Sequence, residues 1–210
     1  RRFATSTNRA PREATPGKEG EERWLKIELK LLADIGLIGL PNAGKSTLLS
    51  KLSAANPKIA AYPFTTLEPQ LGVLQFPYTR PCIIADIPGL IEGASEGIGL
   101  GHQFLRHIER TQILLHLVDA SGEGEQPLQD YHILAAELAA YKEELLDRKH
   151  LVLLNKIDAI SLEQLAFLVA AFQNEDLMVL PISAKTGEGL EVLKGRIEQL
   201  FLSEHSEDKV

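Results

Sequence analysis

Cysteine, methionine and tryptophan each occur once in the 210 residues. A single cysteine, Cys82, excludes a disulfide framework within the chain and fits a reducing compartment. It stands in the apolar run "CIIADI" with no base placed beside it, so it reads as a small core residue rather than a nucleophile. Long hydrophobic runs are missing too. No stretch approaches the roughly 20 apolar residues that cross a bilayer, and there is no secretory leader. The expected location is the cytoplasm, with no membrane partner, and the expected state is a monomer. The only methionine is Met178 and the chain begins at Arg1, so the expectation is a fragment or a processed chain. No internal repeat or low-complexity tract is present.

Positive charge is scarce outside the first 30 residues. These carry eight Lys or Arg and five Asp or Glu, and the remainder carries 14 and 24, within a net charge of −7. An acidic body argues against broad nonspecific nucleic-acid binding by that body. The basic leader "RRFATSTNRAPREATPGKEGEE" lacks apolar periodicity and contains Pro11, Pro16, Gly17 and Gly20, the marks of a linker. "WLKIELKLL" then alternates apolar and polar residues from Trp24, which predicts a half-buried strand.

From Ala33 onward short apolar runs alternate with helical patterns. "DIGLIGL", "GVLQF", "CIIADI", "ILLHLVDA", "LVLLNKI" and "LMVLPIS" predict six strands. "KSTLLSKLSAA", "HQFLRHIERT", "LQDYHILAAELAAYKEELL", "LEQLAFLVAAF" and "GLEVLKGRIEQLFL" predict helices. This rhythm predicts an α/β fold, a mostly parallel six-stranded sheet with helices on both faces. In such sheets ligands bind beyond the carboxyl ends of the strands.

The segment "GLPNAGKST" supplies Gly39, Leu40, Pro41, Asn42, Ala43, Gly44, Lys45, Ser46 and Thr47 between a strand and a helix. Gly39, Gly44, Lys45 and Ser46 satisfy G-x-x-x-x-G-K-[ST], the phosphate loop. Its glycines let backbone N–H groups face inward, the helix start adds partial positive charge, Lys45 reaches terminal phosphates and the Ser46 hydroxyl ligates Mg²⁺. "ADIPG" places Asp86, Ile87, Pro88 and Gly89 after a strand. Asp86 suits a Mg²⁺-bound water and the Gly89 N–H suits a γ-phosphate. "LLNKID" places Asn155, Lys156, Ile157 and Asp158 after another. The Asp158 carboxylate accepts from both adjacent donors of guanine, which adenine lacks. Asn155 braces the base edge and neighbouring loops, and the Lys156 stem packs over the base. "ISAKTGEG" brings Ser183, Ala184 and Lys185 to close the base pocket, with the Ala184 N–H donating to the guanine carbonyl. In "YPFTTLEPQLGVL", a threonine between Pro63 and Pro69 would complete Mg²⁺ coordination only with triphosphate bound.

These stretches, with "RFATSTNRAPREATPG", "ERWLKIELKLLADIGLIGLPNAGKSTLL", "DIPGLIEGASEGIGLGHQFLRHIERT" and "SAKTGEGL", resemble the Obg family of GTPases over essentially the whole chain. The resemblance implies a Ras-like P-loop domain that binds GTP or GDP with Mg²⁺, hydrolyses GTP, and acts with the ribosomal large subunit in its biogenesis. It implies Ser46 and Thr66 as Mg²⁺ ligands, Phe64, Thr65, Thr66, Leu67 and Glu68 bordering the nucleotide, and Lys45, Thr66 and Gly89 closest to the chemistry. It divides the chain into 1–32, the tail of a glycine-rich N-terminal domain, 33–205, the GTP-binding domain, and 206–210, a tail. Much of the family's ribosome-contacting surface lies in the part of that domain not represented here.

Leu90 follows D-x-x-G where many GTPases have a water-orienting glutamine, so intrinsic hydrolysis is expected to be low. Potassium-activated GTPases resemble this chain in an asparagine at the place of Asn42, which implies K⁺ held near the phosphates. His102 is expected at the surface or a helix start, and His107 and His116 as structural residues. Glu92 and Glu96 are left open. Two other readings stand beside the switch: a P-loop ATPase or kinase, which Asp158 opposes, and a nucleotide-gated interaction module whose hydrolysis is incidental, which Leu90 keeps open.

Overall fold

Residues 7, 9, 17–25, 33–59, 69–77, 79–87, 108, 111–141, 145 and 148–207 are described by the structure, a computed structural model. The chain runs β1 (Ile35–Ile38), α1 (Lys45–Leu52), β2 (Lys58–Ile59), β3 (Gln70–Leu74), β4 (Cys82–Asp86), β5 (Ile113–Asp119), α2 (Gln126–Tyr141), β6 (Lys149–Asn155), a 3₁₀ turn (Ile157–Ala159), α3 (Leu162–Gln173), β7 (Val179–Pro181) and α4 (Leu190–Glu207). The strands form one sheet in the order β2-β3-β4-β1-β5-β6-β7. From β4 to β7 every pairing is parallel, and β3 runs antiparallel to both β2 and β4. The fold is the expected α/β, mostly parallel sheet. Its six expected strands are joined by a two-residue edge strand, β2, too short to announce itself as a periodic pattern.

The central strands explain why they read as unbroken apolar runs. All four residues of β1 and Ile113–Val118 of β5 are buried, because helices cover both faces. On one face α1 contributes Leu48, Leu49 and Leu52, and α4 contributes Leu190, Leu193, Ile197 and Phe201. The three- and four-residue spacing in α4 is one apolar helical stripe. On the other face Leu134 and Leu138 of α2 pack with Ile38, Ala85 and Leu114, and Leu168 and Phe172 of α3 pack with Val118, Val152 and Leu154. Ser161 caps α3, its hydroxyl accepting from the Gln164 N–H at 3.2 Å.

Below the sheet, Asp34 is pinned from several sides. Its carboxylate accepts from both terminal nitrogens of Arg80, at 2.7 and 3.2 Å, and from the Ile83 N–H at 2.8 Å. The Arg80 guanidinium also lies 4.8 Å over the Phe201 ring, tying the β3–β4 connection to α4. Cys82 is fully buried, and burial first, then the Asp34 carboxylate, pushes its thiol up to about 12. It is the inert core residue expected.

Trp24 and Leu25, the first residues of the strand expected over "WLKIELKLL", are in no strand and are exposed. Alternation alone makes a strand only where a neighbour covers its apolar side; the rest of that segment lies outside the described residues. Of the helix expected over 102–111, Ile108 is helical and buried.

Candidate functional site

The parallel strands end along one edge, and the registers decide which side chains meet there. Leu37 of β1 pairs with Asp86 of β4, and Asp119 of β5 pairs with Asn155 of β6. The loop 39–44 leaves β1 at the middle of this edge and turns directly into α1.

Two glycines in that loop are there for space. A Cβ on Gly39 would come 2.5 Å from the Leu117 carbonyl oxygen, and one on Gly44 would collide with the Asn155 amide nitrogen. Gly44 also has φ 98°, which L side chains rarely adopt. Asn42 takes φ 62° and is exposed. Asparagine is one of the few non-glycine residues that tolerate this left-handed region, so the turn itself accounts for its type. The Lys45 ammonium folds back over the loop, donating to the carbonyls of Gly39 at 2.8 Å and Leu40 at 3.1 Å. Burial lowers its pKa, opposed by the Asp86 carboxylate. Pro41 and Thr47 are exposed and Ala43 is buried beneath the loop.

Ser46, in the first turn of α1, donates its hydroxyl to Asp86 Oδ2 at 2.6 Å. Asp86 is 5% exposed, and its Oδ1 is buried with no partner. A hydroxyl and a carboxylate with a spare inward lone pair are hard oxygen donors, which fit a small hard dication or its water shell. Beside Asp86, Ile87 is buried and donates its N–H to Leu37.

Asn155 is 2% exposed and bridges two loops. Its Nδ2 donates to the Ala43 carbonyl at 2.7 Å, and its Oδ1 accepts from the Ala184 N–H at 2.9 Å. The donor assigned from sequence to a guanine carbonyl is thus bonded to Asn155 here, because a buried amide oxygen needs a donor of its own. Ile157 opens the 3₁₀ turn and donates to the Ile182 carbonyl. Asp158 accepts from the Ser183 hydroxyl at 2.6 Å, and its second oxygen lies 3.8 Å from the Lys185 ammonium. Ser183 accepts in turn from the Thr186 N–H at 3.0 Å. Its role in orienting Asp158 exceeds the wall of the pocket expected from sequence.

One residue at this edge was missed. Asp119, the last residue of β5, accepts from the Lys156 ammonium at 2.5 Å and from the Ser121 N–H and hydroxyl at 3.0 and 2.6 Å. Burial works to raise its pKa, but the Lys156 and Ser121 hydrogen bonds outweigh it and the net shift is downward. The available signal was its position, a carboxylate ending an apolar parallel strand. His116 is an interior residue, as expected: it is 1% exposed, stacked 4.8 Å from Tyr131 and 6.0 Å from His150. Phe64, Thr65, Thr66, Leu67, Glu68, Pro88, Gly89, Leu90, Glu92, Glu96, His102 and His107 lie outside the described residues.

Fold and site together define a phosphate-loop nucleotide-binding domain of Ras-like architecture. The family described as "50S ribosome-binding GTPase" matches residues 34–156. The chain is 61% identical over 193 residues to GTPase Obg of Desulfotalea psychrophila, covering 91% of this chain and 51% of that protein. It is 49% identical over 208 residues to GTPase Obg of Myxococcus xanthus, covering 98% of this chain and 43% of that protein. The chain belongs to this GTPase family, and within it to the Obg GTPases. It spans about half the length of the curated relatives it matches. Among solved structures, Aquifex aeolicus Era bound to GDP and aluminium fluoride superposes with a TM-score of 0.61 at 27% identity, over 82% of this chain and 57% of that one. The G domain of T. maritima FeoB shares the fold, with a TM-score of 0.56 at 23% identity, over 79% of this chain and 96% of that one. Among the described residues no helix is long and apolar enough to cross a membrane.

Proposed function

We propose that the protein binds GTP with Mg²⁺, hydrolyses it, and serves as a cytoplasmic, monomeric switch in large-subunit ribosome biogenesis. The unit responsible would be residues 33–205, with 1–32 as the tail of a preceding glycine-rich domain and 206–210 as a tail. The observation that carries the reading is the Asn155 side chain, which joins Ala43 in the phosphate loop to Ala184 beside Asp158. Phosphate recognition and base recognition are thereby built as one unit. The family's description, and the Era structure with MgGDPNP and a segment of 16S ribosomal RNA, support the ion, the triphosphate and a ribosomal partner.

In this proposal the N–H groups of residues 39–47 surround the phosphates. Lys45 exchanges its carbonyl partners for phosphate oxygens, a stronger charge-assisted bond. Ser46 and Thr66 would ligate Mg²⁺, with Asp86 holding one of its waters. The ion would neutralise charge developing on the β- and γ-phosphate oxygens. The Gly89 N–H would meet the γ-phosphate, and residues 64–68 would border it. Asp158, held by Ser183, would take both guanine donors, with Lys156, Ile157, Ala184 and Lys185 around the base.

Leu90 offers no hydrogen bond to an attacking water, which favours slow intrinsic turnover. It also favours a second reading, an interaction module whose hydrolysis is incidental. The finer proposal for charge compensation is K⁺ held through Asn42. The test is GTP turnover with and without large ribosomal subunits, in K⁺ and in Na⁺. Acceleration by the subunit supports the switch, and a rate equal in both salts and unchanged in Asn42→Ala removes K⁺. ATP competing as well as GTP, or an Asp158→Ala protein with undiminished guanine preference, overturns the whole reading.

A further inference from the structure

We infer that Asp119 is a positioning residue of the guanine pocket, holding the Lys156 ammonium so that the lysine stem stays stretched across the plane of the base. The inference rests on the guanine reading of residues 155–158 and extends it to a strand that sequence motifs do not reach.

Three observations carry it. Asp119 and Asn155 are register partners on β5 and β6, so Lys156 leaves the sheet directly beside the Asp119 carboxylate. Asp119 is itself fixed: the oxygen not facing Lys156 accepts from the Ser121 N–H at 3.0 Å and the Ser121 hydroxyl at 2.6 Å. The side chains of Lys156 and Asp119 are 35% and 27% exposed, so the pair is shielded more than an ordinary surface ion pair. Lys156 also has φ 67°, in the left-handed region, and stands immediately before the 3₁₀ turn that presents Asp158. A strained residue persists where its surroundings determine it. The Asp119 contact supplies that determination from outside the turn.

The physical consequence is pre-organisation. A free lysine loses much rotamer freedom when a base slides beneath its stem, and that loss weakens binding. With the ammonium already anchored, the loss precedes binding, and the nucleotide is held longer. In this arrangement Asp119 does not read the base, because its two oxygens are engaged by Lys156 and Ser121. Its removal therefore weakens GDP and IDP, which lacks the exocyclic amine, by the same factor, whereas removal of Asp158 changes their ratio.

The test measures release of a fluorescent GDP analogue by stopped flow from wild type, Asp119→Ala, Lys156→Ala and the double variant. Release is expected to speed up roughly threefold to tenfold in Asp119→Ala. In the Lys156→Ala background Asp119→Ala should add less than about twofold, since the coupled partner is gone. Asp119→Glu, which keeps the charge, should restore most of the retention, a result that a purely structural role would not produce. Asp119→Asn keeps an amide oxygen to accept from Ser121 but turns an NH₂ donor toward Lys156, losing both the charge and the acceptor there, so it serves should Asp119→Ala fail to fold. Unchanged release in the Asp119 variants, an equal acceleration with and without Lys156, or a shifted GDP-to-IDP ratio overturns the inference. Failure of wild type to bind the GDP analogue at all overturns instead the reading on which it rests.

Discussion

The Ser46 hydroxyl donates to Asp86 Oδ2 across 2.6 Å, joining α1 to the end of β4 and leaving the other Asp86 oxygen buried and unsatisfied. A buried carboxylate oxygen without a partner costs stability, so its retention points to a ligand. Asp86→Asn should leave the melting temperature of the nucleotide-free, metal-free protein equal or higher. GTP turnover should nevertheless fall by roughly a hundredfold, with more Mg²⁺ needed for half-maximal rate. Ser46→Ala should move the Mg²⁺ requirement in the same direction, and a chelator should erase the difference between both variants and wild type. Calorimetric melting and Mg²⁺ titration of turnover check both halves.

Asn155 spends both ends of its amide on backbone groups of separate loops. Asn155→Ala strands a buried donor and a buried acceptor, at about 2 kcal/mol. For a domain of this size the melting temperature should drop by roughly 4–8 °C. Binding of GDP and of GTP should weaken together, because both loops loosen. Asn155→Asp should be as damaging, since a carboxylate oxygen would face the Ala43 carbonyl with no hydrogen to share.

Among the described residues Arg80 is the charged partner of the Asp34 carboxylate, whose side chain is 1% exposed. Arg80→Ala should cost about 2 kcal/mol, below the full penalty of an orphaned buried charge because the guanidinium is itself half exposed. Arg80→Lys should recover only part of this, as an ammonium cannot reproduce the two-pronged contact. Denaturant unfolding measures the loss, and nucleotide affinity should stay unchanged because the pair lies at the opposite end of the sheet from the phosphate loop.

His116 should make the fold sensitive to acid. Burial, then His150 and Lys45, lower its pKa from 6.5 to about 3, so it stays neutral in the folded protein over that interval. The unfolded chain takes up the proton there. The contribution to stability is complete above about pH 6.5 and declines as the pH falls toward 3, with a limiting slope of about 1.4 kcal/mol per pH unit. His116→Phe keeps a ring against Tyr131 and has nothing to titrate. Its stability relative to wild type should rise steadily from pH 7 to 4; a constant difference in urea unfolding across that range would exclude a buried neutral His116.

Much of this protein is legible before folding because a phosphate-loop fold writes its chemistry as short motifs at strand ends. "GLPNAGKST", "ADIPG", "LLNKID" and "ISAKTG" each name a kind of contact that neighbouring residues alone can specify. β2 escaped because two residues carry no periodicity. Trp24 and Leu25 misled because alternation describes a strand's preference and not its partner. Residue chemistry, its order along the chain and the alternation of strand with helix were determined by the sequence by itself. The tertiary structure alone decided that Asp119 would meet Lys156, that Asn155 would reach back to Ala43, and that Asp34 would find Arg80. Those contacts join segments far apart in the chain, and a hydrogen bond forms only where strand register brings donor and acceptor within about 3 Å of each other.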